Sequence, residues 1–475
     1  MISLTVPLNL DDSESHPFLE QIQGNILKGH GRPHAAHVMV RFTGGTASAR
    51  RWLAGFARTV TSARSQYHQI ESFKARGDGG TFATVALSAS GYDVLDVPED
   101  QRPQDAIFRA GMKGSATLAA GDLPVQAWEP AYQGTVDAMV LLADQDAGRL
   151  DATLTELQAS LKGVGKVLVV ERGERLTRED PKSGHLEIEH FGFADGISQP
   201  RVVQQEIDEE KRLRGNTHWE PGAPLGLLIS NEPGGFGSYF VFRKLEQHVR
   251  DFHEAEAKLA DALGLQGLER DLAGAMAVGR FRNGYPVIPT KTEPSGAPGN
   301  DFNFDQDRFG AVCPLQSHIR RSNPRGDLTS PGGARPALTL EVERSFRIAR
   351  RGITYGKRPD LEKGAPPSTP VPNEGVGLLF MSTQSRLLNF EIQQAGSDVN
   401  DFPIPGVGVD AVMGHNPQPL PQRWTRPPNA AGTAGPTVVN GEARFTMANL
   451  VTLKGGEYFF LPSLPFLRGL ASATP

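Results

Sequence analysis

The sequence predicts an α+β fold, in which a ferredoxin-like sheet is covered by helices. In the first half of the chain, four compact apolar runs have the length of a strand: residues 37–43, 82–87, 138–143 and 164–170. Apolar residues at helical spacing follow the first and the third of these runs: Trp52, Leu53, Phe56 and Val60, then Leu150, Leu154, Leu157 and Leu161. Two such β-α-β passes within about 140 residues are typical of a split β-α-β sheet.

The second half of the chain repeats this pattern with longer insertions. Strand-like runs lie at residues 238–243 and 376–383, and the second is followed by a helix that ends near Ala395. The helix after the first run is highly charged and is marked by five apolar residues: Leu245, Val249, Phe252, Leu259 and Leu263. The same fold class is therefore expected in both halves.

Two long stretches, residues 286–336 and 416–436, are rich in Pro and have little periodicity. Irregular segments of this length are usually functional loops or disordered chain. The strand–helix pattern also breaks at residues 185–200. We therefore expect one domain over residues 1–190 and a second over residues 191–475.

Composition excludes several classes of protein. The chain has 475 residues, of which 38% are hydrophobic and 22% charged, which is ample for a buried core. Its net charge of −5 disfavours general affinity for nucleic acid or anionic membranes. The single cysteine, Cys313, rules out an intrachain disulfide. No basic region followed by an apolar run opens the sequence, so we expect a cytoplasmic protein, with export alongside a partner left open.

The segment HFGFADGISQP, residues 190–200, contains the first candidate for chemistry. Asp195 is surrounded by Phe191, Phe193 and Ile197, and desolvation among such side chains raises a carboxyl pKa and suits the group to proton transfer. The alternative is that Asp195 and Gly196 simply form a turn, which on spacing alone is the more frequent case.

Two further basic segments contain candidates. In CPLQSHIRRSNPR, residues 313–325, His318 lies among several arginines, so that a metal ligand could neighbour groups suited to carboxylates or phosphates. A solvated basic loop is the simpler interpretation. In ARRGITYG, residues 349–356, Arg350 precedes Gly352, where the backbone can approach a neighbour closely, although a basic turn is as plausible.

Taken together, these segments resemble the dye-decolorizing peroxidase family of haem enzymes. GFADG, residues 192–196, is similar to that family's G-x-x-D-G signature. Other segments are similar to family segments in the expected order: IQGNILKGHGRPHAAHVMVRF (22–42), GSYFVFRKLEQH (237–248), AVGRFRNGYPV (277–287), CPLQSHIRRSNPR, RRGITYG, GLLFMSTQ (377–384) and GGEYFFLP (455–462). The resemblance spans nearly the whole chain and is greatest to the long subgroup found in fungi and some bacteria.

The resemblance implies two ferredoxin-like domains with antiparallel sheets and one haem b, held mainly by the C-terminal domain. It implies that His318 is the proximal iron ligand, with Asp195 and Arg350 as the distal carboxylate and arginine. By the same resemblance, four more residues surround the haem: Leu378 and Phe380 line the distal cavity, Arg325 pairs with a propionate, and Asp410 in VDAVMG (409–414) lies behind the proximal histidine.

The implied activity is a peroxidase that reduces H₂O₂ and oxidises bulky organic donors, such as dyes and phenolics, by one-electron steps. A surface aromatic residue could relay electrons from such donors, and Trp424 and Tyr355 are candidates, although a core role is the simpler interpretation of each. The alternative functions are a non-enzymatic haem-binding or transfer protein and, more remotely, a hydrolase using Asp195 or Cys313. The sequence leaves open whether the protein is a monomer or a dimer.

Overall fold

The computed structural model describes residues 2–115, 121–181, 184–288, 298–329, 337–366, 368–426 and 442–472. The strands of these residues are β1 His34–Phe42, β2 Phe82–Leu87, β3 Ala138–Asp144, β4 Gly165–Glu174, β5 Thr177–Asp180, β6 Gly184–Glu187, β7 Ser230–Glu232, β8 Gly235–Gln247, β9 Ala349–Arg350, β10 Ile353–Tyr355, β11 Gly377–Gln384, β12 Gln422–Thr425, β13 Glu442–Phe445 and β14 Val451–Leu461.

The helices of the same residues surround these strands. They are α1 Ser15–Gln21, α2 Thr46–Phe56, α3 Ala63–Arg76, α4 Ala89–Val94, α5 Ala106–Ala110, α6 Pro130–Gln133, α7 Ala147–Ser160, α8 Gln204–Arg214, α9 Val249–Ala262, α10 Asp271–Val278, α11 His318–Ser322, α12 Leu340–Ser345, α13 Leu388–Asp398 and α14 Leu464–Gly469. Among these described residues, no helix combines the length and the apolar character needed to cross a membrane.

One antiparallel sheet runs through both halves of the chain, in the order β10-β11-β8-β14-β2-β3-β1-β4. In the first half, β3 lies between β2 and β1, which are themselves connected through helices, as a split β-α-β unit requires. In the second half, β11 lies between β10 and β8 in the same way. The two halves thus repeat one ferredoxin-like arrangement, and the predicted fold class is confirmed.

The two halves of the sheet meet where β14 pairs with β2, through Phe460 and Leu87. The C-terminal run GGEYFFLP forms much of β14, whose side chains from Gly455 onwards are buried. A continuous apolar run is typical of a strand covered on both faces. The domain boundary at residues 190 and 191 stays a prediction; it falls between β6, which ends at Glu187, and β7, which begins at Ser230.

Most predicted elements are confirmed, but several bounds differ: the strands predicted at 37–43, 164–170 and 238–243 are His34–Phe42, Gly165–Glu174 and Gly235–Gln247, and two helix bounds are wrong. The predicted helix that begins at Leu245 starts only at Val249, because β8 continues to Gln247 and pairs there with Val451 of β14. The first predicted helix ends at Phe56, so Val60 packs in the core from the following turn. Residues 289–297 and 330–336 of the first predicted loop, and residues 427–436 of the second, lie outside the described residues.

Candidate active site

A single large cavity brings the predicted site residues together. It lies against β8 and β11 and is closed by α13, by the loop that follows β6 and by the segment around α11. Its empty volume, with the open mouth, is about 1710 Å³. Much of its lining is apolar, with a few polar and charged side chains, as is usual for ligand pockets.

Strand β11 supplies the apolar wall. Leu378 and Phe380 line the cavity, while the intervening Leu379 and the following Met381 are fully buried in the core on the other face of the sheet. This alternation follows from the period of two along a strand. Both members of the sequence-predicted pair therefore line this cavity.

Asp195 reaches the cavity from a tight loop. Gly192 and Gly196 have φ angles of +94° and +76°, which side chains with a Cβ rarely adopt. The Asp195 N–H donates to the Glu187 carbonyl at 3.2 Å, and the Ala194 N–H donates to the Arg282 carbonyl at 2.9 Å. The turn and the functional interpretation are thus compatible, because the turn is what presents the carboxylate to the cavity.

Arg350 meets Asp195 inside the cavity. Its Nη1 donates to Asp195 Oδ1 at 2.7 Å, and the Gly196 N–H donates to the same oxygen at 2.6 Å. Within the described residues, Asp195 Oδ2 has no hydrogen-bond partner. The side chain keeps 37% of its surface accessible, and Asp195 is one of the residues that line the cavity. Oδ1 is therefore fixed by hydrogen bonds, and Oδ2 is available to exchange a proton.

The pKa of Asp195 differs from the sequence expectation. Burial does raise it, as predicted, but the positive charge of Arg350 and the hydrogen bonds from Gly196 and Arg350 outweigh burial. The net pKa therefore lies below its ordinary value. The sequence argument from neighbouring aromatic side chains was wrong in sign, because it could not include a guanidinium 155 residues away in the chain.

Arg350 is held by the sheet. It belongs to β9, which pairs with β11 through Ser382, and its N–H donates to Gln199 Oε1 at 2.9 Å. A Cβ at Gly352 would lie 3.1 Å from the Leu379 carbonyl oxygen. The close backbone approach predicted at this glycine is confirmed.

His318 is the first residue of α11 and lines the same cavity. Its Nδ1 lies 3.0 Å from Oδ2 of Asp410, which is fully buried. Asp410 Oδ1 accepts the N–H groups of Val412 and Met413 at 2.8 and 3.0 Å. This contact directs Nε2 towards the cavity, where it has no hydrogen-bond partner among the described residues.

The electrostatics of the His318–Asp410 pair favour the charged carboxylate. Burial raises the pKa of Asp410, but the adjacent imidazole and two backbone N–H groups outweigh it, so the pKa is lowered. Burial lowers the pKa of His318, and Asp410 outweighs that effect and raises it. A carboxylate that accepts from one ring nitrogen fixes the tautomer and orientation of the ring, as metal-binding histidines require.

Three buried arginines line another part of the cavity: Arg280, Arg325 and Arg347. In the described part of the chain, none of them pairs with a carboxylate. Burial lowers the pKa of Arg280 and Arg347 to about 9 each and that of Arg325 well below its usual range. Uncompensated buried cations are costly, so this wall is suited to an anionic ligand group.

Arg325 already has protein partners. Its Nη1 donates to the Asn300 and Phe302 carbonyls at 2.8 and 2.9 Å, and its Nη2 donates to Asn300 Oδ1 at 2.6 Å and Ser198 Oγ at 3.0 Å. Its guanidinium also stacks 3.9 Å from the centroid of the Phe302 ring. A ligand anion would therefore meet Nε or exchange one of these partners.

These residues fit haem. An imidazole with a free Nε2 can hold iron, unpaired arginines can face two propionates, and an apolar strand face can contact a porphyrin ring. The histidine thus matches the iron, the arginines match the propionates and the apolar strand face matches the porphyrin ring.

The other sequence candidates lie in the core. Trp424 is fully buried with its Nε1 donating to the Phe445 carbonyl at 2.9 Å, and Tyr355 is 8% exposed, so neither presents a surface for electron relay. Cys313 packs against Phe302 and Phe304, and burial raises its thiol pKa to about 11. Such a thiol is a poor nucleophile at neutral pH.

Sequence reasoning missed several cavity residues with polar roles, among them Arg280, Arg347, Glu189 and Gln247. Glu189 lies six positions before Asp195, directly ahead of the quoted motif, so its proximity to the loop was visible in the sequence. Gln247 ends β8 and carried no comparable signal, because only the sheet register brings it to the cavity.

Comparison with known proteins adds to this geometry. The chain is 39% identical to the multifunctional dye peroxidase DyP2 of Amycolatopsis, over 99% of both chains. It is 31% identical to the dye-decolorizing peroxidase msp1 of Mycetinis scorodonius, over 82% of this chain and 77% of that one. The crystal structure of a DyP-type peroxidase from Anabaena superposes with a TM-score of 0.86 and 33% identity, covering 99% of this chain and 100% of that chain.

No family model matches the chain. The fold, the cavity and these relatives nevertheless define its class: the protein is a peroxidase, an oxidoreductase that acts on peroxide. It belongs to the dye-decolorizing peroxidase family. Membership in this family rules out the alternative interpretation of the protein as a hydrolase.

Proposed function

We propose that this peroxidase uses one haem b to reduce H₂O₂ and to oxidise bulky organic donors, such as dyes and phenolics, by one-electron steps. The observation that carries the proposal is the presence, in one cavity, of the Asp410-anchored His318 and the Asp195–Arg350 pair. Haem binding alone requires only an axial ligand. The acid–base pair therefore favours peroxidase chemistry over haem storage or transfer.

In this proposal, His318 Nε2 holds the iron and Asp410 keeps the imidazole oriented and electron-rich. The wall of Arg280, Arg325 and Arg347 faces the propionates, and Leu378 and Phe380 cover the ring with apolar surface. When bound, haem supplies an iron that binds peroxide and takes up its two oxidising equivalents.

The distal residues move the proton and stabilise charge. Asp195 Oδ2, the oxygen without a partner, accepts a proton from peroxide and returns it to the leaving oxygen, which departs as water. Arg350 remains cationic and stabilises the negative charge that develops as the O–O bond breaks. The hydrogen bond between Arg350 Nη1 and Asp195 Oδ1 keeps both groups oriented without occupying Oδ2.

The visible spectrum of the purified protein, before and after one equivalent of H₂O₂, tests this function. We expect a Soret band that peroxide changes at once and that an added dye or phenol restores. A protein that has no Soret band after reconstitution with haem, or one whose band peroxide leaves unchanged, would overturn the proposal.

A further inference from the structure

The carboxylate of Glu189 accepts hydrogen bonds from the loop that contains Asp195. Its carboxylate is half-buried and lines the cavity. Oε2 accepts the Phe191 N–H at 2.8 Å, and Oε1 accepts the Phe193 N–H at 3.0 Å. One carboxylate therefore satisfies two backbone donors of the turn that immediately precedes Asp195.

Glu189 is in turn fixed to the sheet. Gln247 Nε2 donates to Glu189 Oε2 at 2.5 Å. Gln247 ends β8, pairs with Val451 of β14, and donates its own N–H to the Val376 carbonyl at 2.9 Å. Because Gln247 belongs to the sheet, its hydrogen bond to Glu189 fixes the loop relative to the sheet.

The carbonyl side of the loop is held separately. Arg282 Nη1 donates to the Phe191 carbonyl at 2.8 Å, and Arg178 Nη1 donates to the Gly192 carbonyl at 3.3 Å. Among the described residues, the Glu189 carboxylate is the acceptor for the N–H groups of Phe191 and Phe193, and the Glu189 backbone adds hydrogen bonds to Gly192 and Phe193. Nearer to Asp195, the Ala194 N–H donates to the Arg282 carbonyl at 2.9 Å and the Asp195 N–H donates to the Glu187 carbonyl at 3.2 Å. The turn before Asp195 therefore depends on Glu189 for its side-chain acceptor, while the following residues have backbone anchors of their own.

We infer that Glu189 is a positioning residue, which affects the reaction with peroxide by holding Asp195 at its hydrogen bond to Arg350. Glu189 itself transfers no proton to peroxide, because both of its oxygens accept hydrogen bonds from the protein. This inference rests on the proposed role of Asp195 as the proton carrier. Burial and, to a smaller extent, the negative charge of Asp195 raise the pKa of Glu189, and the hydrogen bonds from Phe193, Phe191 and Gln247 partly offset that rise.

Glu189→Gln is the most specific variant, because it keeps the size of the side chain and changes only its hydrogen bonding and charge. In either orientation its NH₂ group faces a backbone N–H, of Phe191 or of Phe193, which then loses its acceptor. The matched control is Glu179→Gln, on the neighbouring β5–β6 hairpin, where the carboxylate is exposed and, among the described residues, its side-chain partner is His185.

Two readouts test the inference in the haem-loaded protein. We expect Glu189→Gln to lower the second-order rate constant with H₂O₂ roughly 10- to 100-fold, since small misplacements of a reacting group cost about this much, while Glu179→Gln stays within about twofold of the parent. In hydrogen exchange, the peptide spanning residues 189–196 should exchange faster in Glu189→Gln and unchanged in Glu179→Gln.

A double variant distinguishes a positioning role of Glu189 from a general loss of structure in the site. If Glu189 acts through Asp195, then Glu189→Gln adds no further loss in an Asp195→Asn background. Independent, multiplying losses would overturn the inference, as would unchanged exchange at residues 189–196. If Asp195→Asn alone reacts with peroxide at the parent rate, the proposed function fails instead, and the exchange measurement still decides whether Glu189 holds the loop.

Discussion

Arg350 Nη1 donates to Asp195 Oδ1 at 2.7 Å across 155 residues of sequence. One residue lies on a two-residue strand paired with β11, and the other lies on a glycine turn after β6. The pair joins two separately anchored backbones, so each partner keeps its place when the other is changed. This allows the two residues to be tested one at a time.

Removing the proton acceptor is the first test. Asp195→Asn keeps the size of the side chain but cannot accept the peroxide proton, so we expect the rate of reaction with H₂O₂ to fall about 10²–10⁴-fold. Haem content should be normal, because Asp195 is not among the residues proposed to hold the group. Stopped-flow absorbance measures the rate, and a parent-like rate in this variant would refute the role of Asp195.

The pH profile tests the electrostatic role of Arg350. The active form of Asp195 is the carboxylate, which exists above its pKa, and the Arg350 charge holds that pKa below its ordinary value near 3.8. The parent should therefore keep its peroxide reactivity in acid and lose it only below about pH 4. In Arg350→Ala, burial is opposed only in part, by the Gly196 hydrogen bond and by His318, so the acid limb of the residual activity should move to higher pH. An unmoved acid limb in Arg350→Ala, or a parent optimum above neutrality, would contradict this account.

Removing the proposed iron ligand should prevent haem binding. We expect His318→Ala to lose the Soret band, and free imidazole to restore part of it by entering the space of the lost ring. His185→Ala is the control, since that imidazole is exposed and, within the described residues, is paired with Glu179. A normal Soret band in His318→Ala without imidazole would exclude His318 as the ligand.

Asp410 offers a test of how the histidine is tuned. Asp410→Asn removes the negative charge behind the imidazole, so the ring becomes a poorer electron donor and the ferric/ferrous midpoint potential should rise. Loss of such a partner typically lowers metal affinity or activity 10–100-fold. The variant should therefore release haem faster, which the rate of haem transfer to added apomyoglobin measures. Spectroelectrochemical titration measures the potential. A potential equal to that of the parent would show that Asp410 does not act on His318.

Local patterns predicted the strands, and the resemblance to family segments pointed to the chain positions of the site residues. The run at residues 82–87 forms β2 with the same bounds, because its apolar side chains are all buried. Where a boundary failed, at Leu245, the residue's neighbours on β11 and β14 kept it in a strand. Hydrophobic spacing carries no information on such distant pairing partners.

The electrostatics of the site could not be predicted in the same way. The pKa of Asp195 depends on Arg350, and the anchoring of His318 depends on Asp410, 92 residues further along the chain. Both effects decay over a few ångströms, so they require coordinates. The acceptors of Arg325 are a further case, since its partners at Asn300, Phe302 and Ser198 come from two distant segments.

The sequence by itself determined the fold class, because apolar periodicity is a property of neighbouring residues, and its resemblance to family segments pointed to the loop of Asp195 and the segment of His318. Tertiary structure decided how the residues act. It joined both halves into one sheet through Leu87 and Phe460, tied the Asp195 loop to β8 through Glu189, and set Asp195 against Arg350. Proton transfer depends on contacts of about 3 Å, which only the packing of distant segments can set.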